Sequence, residues 1–118
     1  MRLDQIVDAL QLNVLTCSVN LNEIEPTGGY ASDLLSCVMS GAQRGNLWIT
    51  LQSHLNIVAV AALLDLAAVI ITEGAQPDAA TLEKATQEGV ILLSTPLPTY
   101  TVIGRLWELG VRNPETTA

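Results

Sequence analysis

Helical and strand-like patterns alternate along this chain, and the alternation limits the fold more than any other feature. Apolar residues recur at helical spacing in 3–10, and short apolar runs typical of strands lie at 14–17, 47–51, 67–72 and 90–94. Single helical segments separate the last three runs. The pattern therefore predicts βαβ units with right-handed crossovers and a mostly parallel sheet covered on both faces, an α/β fold.

Local signals predict where the helices begin and end. Asp78 is expected to cap a helix over 79–88, and Gly89 stands where a helix C-terminal glycine belongs. A brief strand is expected at Tyr30 and Ala31, after which Ser32 or Asp33 would cap a short helix. Two further helices are predicted over about 55–64, apolar almost all round, and from Thr99 or Thr101 to Leu109.

Size and charge exclude several classes of protein. The 118 residues include 12 acidic and 5 basic side chains, a net charge of -7. We expect one domain, 1–118, with a core of about 3–110 and a frayed tail at 113–118. The basic residues are scattered, which argues against a nucleic-acid partner. No secretory or membrane-spanning segment is visible, so we expect a cytoplasmic protein without a membrane partner.

The residues needed for most enzyme chemistry are missing. The chain has one histidine, His54, and no phosphate-binding loop of the GxxxxGK[ST] type. Cys17 and Cys37 lack CxxC spacing, so we favour buried, reduced thiols, with a disulfide or a metal pair as the alternative. We therefore predict no catalytic residue, no metal site and no cofactor. An enzyme that relies on His54 is the least favoured hypothesis, because a lone histidine lacks the partners that catalytic groups need.

Polar residues follow the last three predicted strands, where ligands of open parallel sheets bind. These residues form the predicted ligand site: Thr50, Ser53, His54, Thr72, Glu73, Gly74, Ser94 and Thr95. Hydroxyls beside helix N-termini suit a small anionic or polyhydroxylated ligand. The alternative is that the hydroxyls only cap helices. For His54 the alternatives are a bond to a neighbouring carbonyl or a position facing a partner subunit, and for Glu73 a solvated turn.

Several segments together resemble the DRTGG-domain family over roughly residues 3–110. They are Gly28–Ser36, Gly45–Thr50, His54–Ala61, Ile70–Gly74, Pro77–Asp78 and Leu93–Pro96. The resemblance implies a three-layer α/β/α domain with a small, mostly parallel sheet, similar to the N-terminal domain of HPr kinase/phosphatase. It also implies a regulatory module of the kind found inside some phosphotransacetylases and beside CBS pairs.

The chain departs from the motif that names the family. Ser53-His54 stands where the Asp-Arg pair belongs, and Thr72-Glu73-Gly74 replaces the Thr-Gly-Gly run. If the family's arginine binds an anion, this chain has no arginine at that position to do so.

Two functions fit the whole pattern. The first is a non-catalytic regulatory domain that senses a small polar metabolite or nucleotide and acts on a partner protein. The second is an oligomerisation or protein-interaction module without a ligand. In either case we expect a homodimer, in which the apolar residues Leu106, Trp107 and Leu109 of the last helix pack against an identical chain.

Overall fold

The computed structural model describes residues 1–114, and within them five strands form one sheet. The strands are β1 (Asn13–Thr16), β2 (Gly28–Ala31), β3 (Asn46–Thr50), β4 (Ala68–Ile71) and β5 (Leu92–Ser94). Their order across the sheet is β1-β5-β4-β3-β2. Strands β2 to β5 are parallel, whereas β1 pairs antiparallel with β5. The predicted mostly parallel sheet is confirmed.

Helices cover both faces of the sheet, which confirms the three-layer α/β/α architecture. The helices are α1 (Leu3–Leu10), α2 (Leu35–Gly41), α3 (Asn56–Leu64), α4 (Ala79–Glu88) and α5 (Thr99–Glu108). One core cluster joins the sheet to α1 and α5, and the other joins it to α2, α3 and α4. Because β2 to β5 follow one another across the sheet, their connecting helices α2 to α4 all lie on the same face.

The strands read as continuous apolar runs because successive side chains enter different cores. Leu47 and Ile49 of β3 pack towards α1 and α5. Trp48, which lies between them in the sequence, packs on the opposite face of the sheet. Trp48 is fully buried, and its indole N–H donates to the carbonyl of Ser32 at 2.8 Å. A strand with two apolar faces is the expected form in a sheet that helices cover on both sides.

The predicted ends of α4 are confirmed. Asp78 accepts a hydrogen bond from the Thr81 N–H at 2.9 Å, and Gly89 ends the helix with a left-handed φ of 70°. The predicted cap of the short helix α2 is wrong. Its N-cap position is Leu34, without a side-chain cap, because Asp33 turns instead towards the end of β3.

Two other expectations differ from the structure. Cys17 and Cys37 are free thiols but both are exposed: Cys17 directly follows the edge strand β1, and Cys37 lies on the solvent side of α2. Asn113, placed in the predicted tail, bonds through its carboxamide to both the N–H and the C=O of Gly29 at 2.9 Å. The rest of the predicted tail from residue 115 lies outside the described residues.

No helix within 1–114 has the length and apolar character to cross a membrane.

Candidate functional site at the carboxyl edge of the sheet

The carboxyl ends of β3, β4 and β5 lie side by side along one edge of the sheet. Thr50 at the end of β3 is level with Ile71, which in turn is level with Ser94 at the end of β5. The loops that carry all eight predicted ligand residues therefore leave the sheet at this edge. They form two regions of different character, one between the loops after β4 and β5 and one between the loops after β3 and β4.

The region between the loops after β4 and β5 is where a parallel sheet usually offers a crevice, because α4 and α5 leave towards opposite faces. Here the crevice is closed by bonds within the chain. The Glu73 carboxylate accepts the backbone N–H of Thr99 at 2.6 Å, which caps α5. The Glu73 N–H donates to the Leu97 carbonyl at 2.9 Å. We call this region the closed half.

Hydroxyl groups beneath Glu73 complete the closed half. The Thr72 hydroxyl donates to the Thr50 carbonyl at 3.3 Å and lies 2.6 Å from the Thr99 hydroxyl. Thr95 accepts the Leu97 N–H, and Ser94 accepts a long bond of 3.5 Å from Asn13. Thr72, Ser94 and Thr95 are all buried. Their polar groups are engaged in holding loops together.

The region between the loops after β3 and β4 is open to solvent, and we call it the open half. It contains a cleft of about 340 Å³. The cleft is lined by Leu51, Gln52, Ser53, His54, Gln76 and Asp78. Apart from Leu51, every lining side chain carries a hydrogen-bonding group, and the groups come from two neighbouring loops.

Asp33 holds the loop after β3 in place. Its Oδ1 accepts the Thr50 hydroxyl at 2.7 Å and the Leu51 N–H at 2.9 Å. The loop is further fixed by Gln52, whose amide donates to the Asp33 carbonyl and whose N–H donates to the Thr50 hydroxyl oxygen. Thr50 thus lies under the cleft as a support. These four hydrogen bonds fix the backbone that leads directly into Ser53 and His54, as a preorganised site requires.

His54 is exposed, and within residues 1–114 it is not bonded to a carbonyl. Its Nδ1 accepts the N–H of Asn56 at 3.2 Å at the start of α3, so the neutral ring carries its proton on Nε2. The neutral side chain of His54, which lines the cleft, therefore offers Nε2–H as a donor. Across the cleft, the hydrogen bonds from the Thr81 N–H and hydroxyl lower the pKa of Asp78, with a smaller contribution from the charge of His54.

The structure thus divides the predicted ligand residues into three groups. Ser53 and His54 line the open cleft, and Thr50 supports it. Thr72, Glu73, Gly74, Ser94 and Thr95 belong to the closed half; the Gly74 N–H donates to the Thr95 carbonyl at 3.2 Å. Whether any of them binds a ligand stays a prediction.

Sequence reasoning missed Asp33, Gln76 and Thr99 as parts of this edge, and it assigned Asp78 to helix capping alone. Asp33 had a usable signal, because it follows the end of β2 by two residues and so lies at the same edge. Within residues 1–114 no group of three or more His, Cys, Asp and Glu side chains is placed to hold a metal ion.

Comparison with known proteins identifies the family. The family model of the DRTGG domain matches residues 5–109. The chain belongs to the DRTGG domain family. No curated protein sequence matches it.

A solved structure shows the same fold: the CBS and DRTGG domains of the regulatory region of Clostridium perfringens pyrophosphatase, complexed with the activator diadenosine tetraphosphate. The two superpose with a TM-score of 0.72 at 20% sequence identity, over 89% of the present chain. The match spans 45% of the pyrophosphatase chain, so this DRTGG chain corresponds to less than half of that region.

Proposed function

We propose that this DRTGG-domain chain is a non-catalytic regulatory domain that binds a small polar metabolite or nucleotide in the open half and acts through a homodimer. The observation that carries the proposal is the cleft itself. Hydrogen-bonding side chains from two loops face solvent at the carboxyl ends of adjacent parallel strands, on a loop that Asp33 holds fixed.

The donors and acceptors in the cleft favour a ligand with both hydroxyl and carbonyl or ring-nitrogen groups. His54 offers one N–H donor when neutral, Ser53 a hydroxyl, and Gln76 an amide that both donates and accepts. The Asp78 carboxylate accepts hydroxyl donors such as those of a ribose. Because Asp78 lies in the lining and the whole chain has a net charge of -7, the cleft suits the base and ribose of a nucleotide better than its phosphates.

The pyrophosphatase regulatory region supports nucleotides as the first ligands to try, because that structure was obtained with diadenosine tetraphosphate. The test is a thermal-shift screen with AMP, ADP, ATP, diadenosine tetraphosphate, sugar phosphates and acetyl phosphate. A ligand of the cleft should raise the melting temperature in proportion to the logarithm of its excess over Kd. Ser53→Ala and His54→Ala should reduce that rise. Ser40→Ala, on the remote part of α2, is the matched control and should keep it.

Two results would count against a ligand in the open half. One is a screen in which no compound changes the melting temperature. The other is a rise that Ser53→Ala and His54→Ala leave unchanged, which would move the binding site away from the cleft.

The dimer part of the proposal is supported by α5. Of the three residues expected at the interface, Leu106 is only 3% exposed and packs in the chain's own core with Leu109 beside it, so that expectation is wrong for Leu106. Trp107 is exposed, and Tyr100 and Ile103 are exposed on the same side of α5. We call these three residues the α5 stripe. An exposed apolar stripe on a helix is typical of an interface.

The same stripe favours the second function, an oligomerisation module without a ligand. Light scattering at micromolar concentration distinguishes the possibilities. Either function predicts a species of twice the chain mass, whereas a single species of 12.6 kDa would exclude the dimer. A dimer that no compound of the screen stabilises would favour the module without a ligand.

A further inference from the structure

We infer that the proposed homodimer is held by Tyr100 of each copy, which inserts into a ring-sized cavity beside Trp107 of the other copy. The inference rests on the dimer part of the proposed function. It adds the residue that enters, the cavity that receives it and the symmetry of the contact.

The cavity has a volume of about 150 Å³ and lies between α5 and the edge strand β2. We call it the ring cavity. It is lined by Gly29, Tyr30, Ala31, Ile49, Ile103, Leu106, Trp107, Val111, Arg112 and Asn113. The space exists because Gly29 and Ala31 are level with Leu47 and Ile49, on the α5 side of the sheet, and add almost no bulk there.

The size of the ring cavity selects its occupant. An apolar cavity of about 150 Å³ holds a benzene-sized molecule. Pockets for whole metabolites or drug-sized ligands are at least twice as large, about 300 Å³ and upwards. One aromatic ring fits the ring cavity, so a single side chain from a protein is a better occupant than a metabolite.

Tyr100 is the side chain that the molecule itself presents. It is 88% exposed, the highest value among the large exposed hydrophobic residues in 1–114. It precedes Trp107 by seven residues of α5, about two turns and about 10.5 Å, so both lie on nearly the same face. When two α5 helices pack antiparallel about a twofold axis, each Tyr100 meets Trp107 of the other helix. Both ring cavities are then filled at once.

The middle of α5 allows the two helices to approach each other. A Cβ built on Gly104 meets no atom within 4 Å, so the helix surface is open at the point where the twofold axis would pass. Ile103 precedes Gly104, and in the antiparallel arrangement it faces Gly104 of the second copy. Small residues at a helix crossing permit such close backbone contact.

Charges around the cavity also fit a second copy. Arg112, stacked on Trp107 at 4.5 Å from its ring centroid, is the only charged side chain among the residues of 1–114 that line the cavity, whereas the chain as a whole is strongly acidic. Antiparallel α5 helices align their dipoles favourably.

The test is sedimentation velocity over a dilution series of the full chain. Tyr100→Ala removes the ring, and Ala31→Leu fills the cavity without changing any residue of α5; each should weaken dimerisation at least tenfold. Tyr100→Phe keeps the ring and should retain dimerisation. Leu63→Ala, at another exposed apolar residue, and Ala59→Leu, at another exposed alanine, are the matched controls and should dimerise like the wild type.

A second measurement separates a lost contact from a damaged fold. Trp107 is exposed and Trp48 is buried, so tryptophan emission should shift to longer wavelength as the wild type is diluted. Monomeric Tyr100→Ala should keep one cooperative melting transition, at the melting temperature that the wild type reaches on dilution, and show no such shift. Dimers of unchanged affinity in Tyr100→Ala or Ala31→Leu would overturn the inference and leave the homodimer standing. A monomeric wild type would remove the homodimer itself.

Discussion

The closed half and the open half of the carboxyl edge contain similar residues but differ in what those residues bind. In the closed half, Glu73, Thr72 and Thr99 bond to one another and fix α5 to β4. In the open half, Ser53 and His54 face a cleft. The difference lies in the helices that follow. Because α4 and α5 leave towards opposite faces of the sheet, hydrogen bonds hold the loops after β4 and β5 together. A polar residue after a parallel strand therefore indicates a ligand site only when it is not already hydrogen-bonded to a neighbouring loop.

The largest effect that this comparison predicts is for Thr72→Val, which keeps the shape of a fully buried side chain and removes its hydroxyl. The bonds to the Thr50 carbonyl and the Thr99 hydroxyl are lost, and we expect a loss of about 2 kcal/mol in the free energy of unfolding. Urea unfolding measures it. The control Thr101→Val, on the first turn of α5, should change stability by less than about 0.5 kcal/mol.

Thr72→Val should leave ligand binding intact, because the closed half serves the fold. The variant should show the same ligand-induced rise in melting temperature as the wild type. A variant that unfolds like the wild type, or that loses the ligand response while it stays folded, would break the division between the two halves.

A smaller effect is expected for Glu73, which caps α5 from another loop. Glu73→Gln replaces a charged acceptor at a helix N-terminus by a neutral one and should cost about 0.5–1 kcal/mol in urea unfolding. Glu73→Ala removes the acceptor while it keeps a side chain at a left-handed φ of 63°, and should cost more. Glu83→Gln, at an exposed glutamate of α4, is the control. Equal stability of all three variants would show that the bond from Thr99 to Glu73 contributes nothing measurable to the free energy of unfolding.

The smallest effect is a pH dependence at Asp78, which borders the open half but also caps α4. Hydrogen bonds from Thr81 lower its pKa in the folded state below the ordinary 3.8. Its stabilising contribution is therefore complete above about pH 3.8 and is lost as the pH falls through the lowered folded value. The stability difference between the wild type and Asp78→Ala should shrink over that acidic range. A difference that stays constant there would contradict the assigned cap.

Much of the fold was predictable because it depends on local signals. The cap at Asp78 and the glycine at Gly89 fixed the ends of α4, and the apolar runs located the central strands. The antiparallel pairing of β1 was harder to predict from the sequence, because no helix connects β1 to a neighbouring strand and its register is irregular between Val14 and Thr16. There the Thr16 hydroxyl bonds to Val90 and Leu92 in place of regular pairing.

The carboxyl edge could be predicted as a place but not as a set of contacts. The sequence indicates that Thr50, Thr72 and Ser94 end neighbouring strands, because the strand period and the connections are local. It does not indicate that Glu73 reaches Thr99 or that Asp33 supports Thr50, because those bonds join residues 17 or more positions apart. Their partners depend on which face each helix covers.

The most direct test of the regulatory proposal is a titration of ¹⁵N-labelled protein with diadenosine tetraphosphate, and with AMP as the smaller nucleotide, followed by amide chemical shifts. We expect the changes to concentrate at Gln52–His54 and Gln76–Asp78, and Glu73 and Thr95–Leu97 to change little. Changes confined to the closed half, or a spectrum that neither nucleotide alters at millimolar concentration, would contradict a nucleotide-binding cleft in the open half.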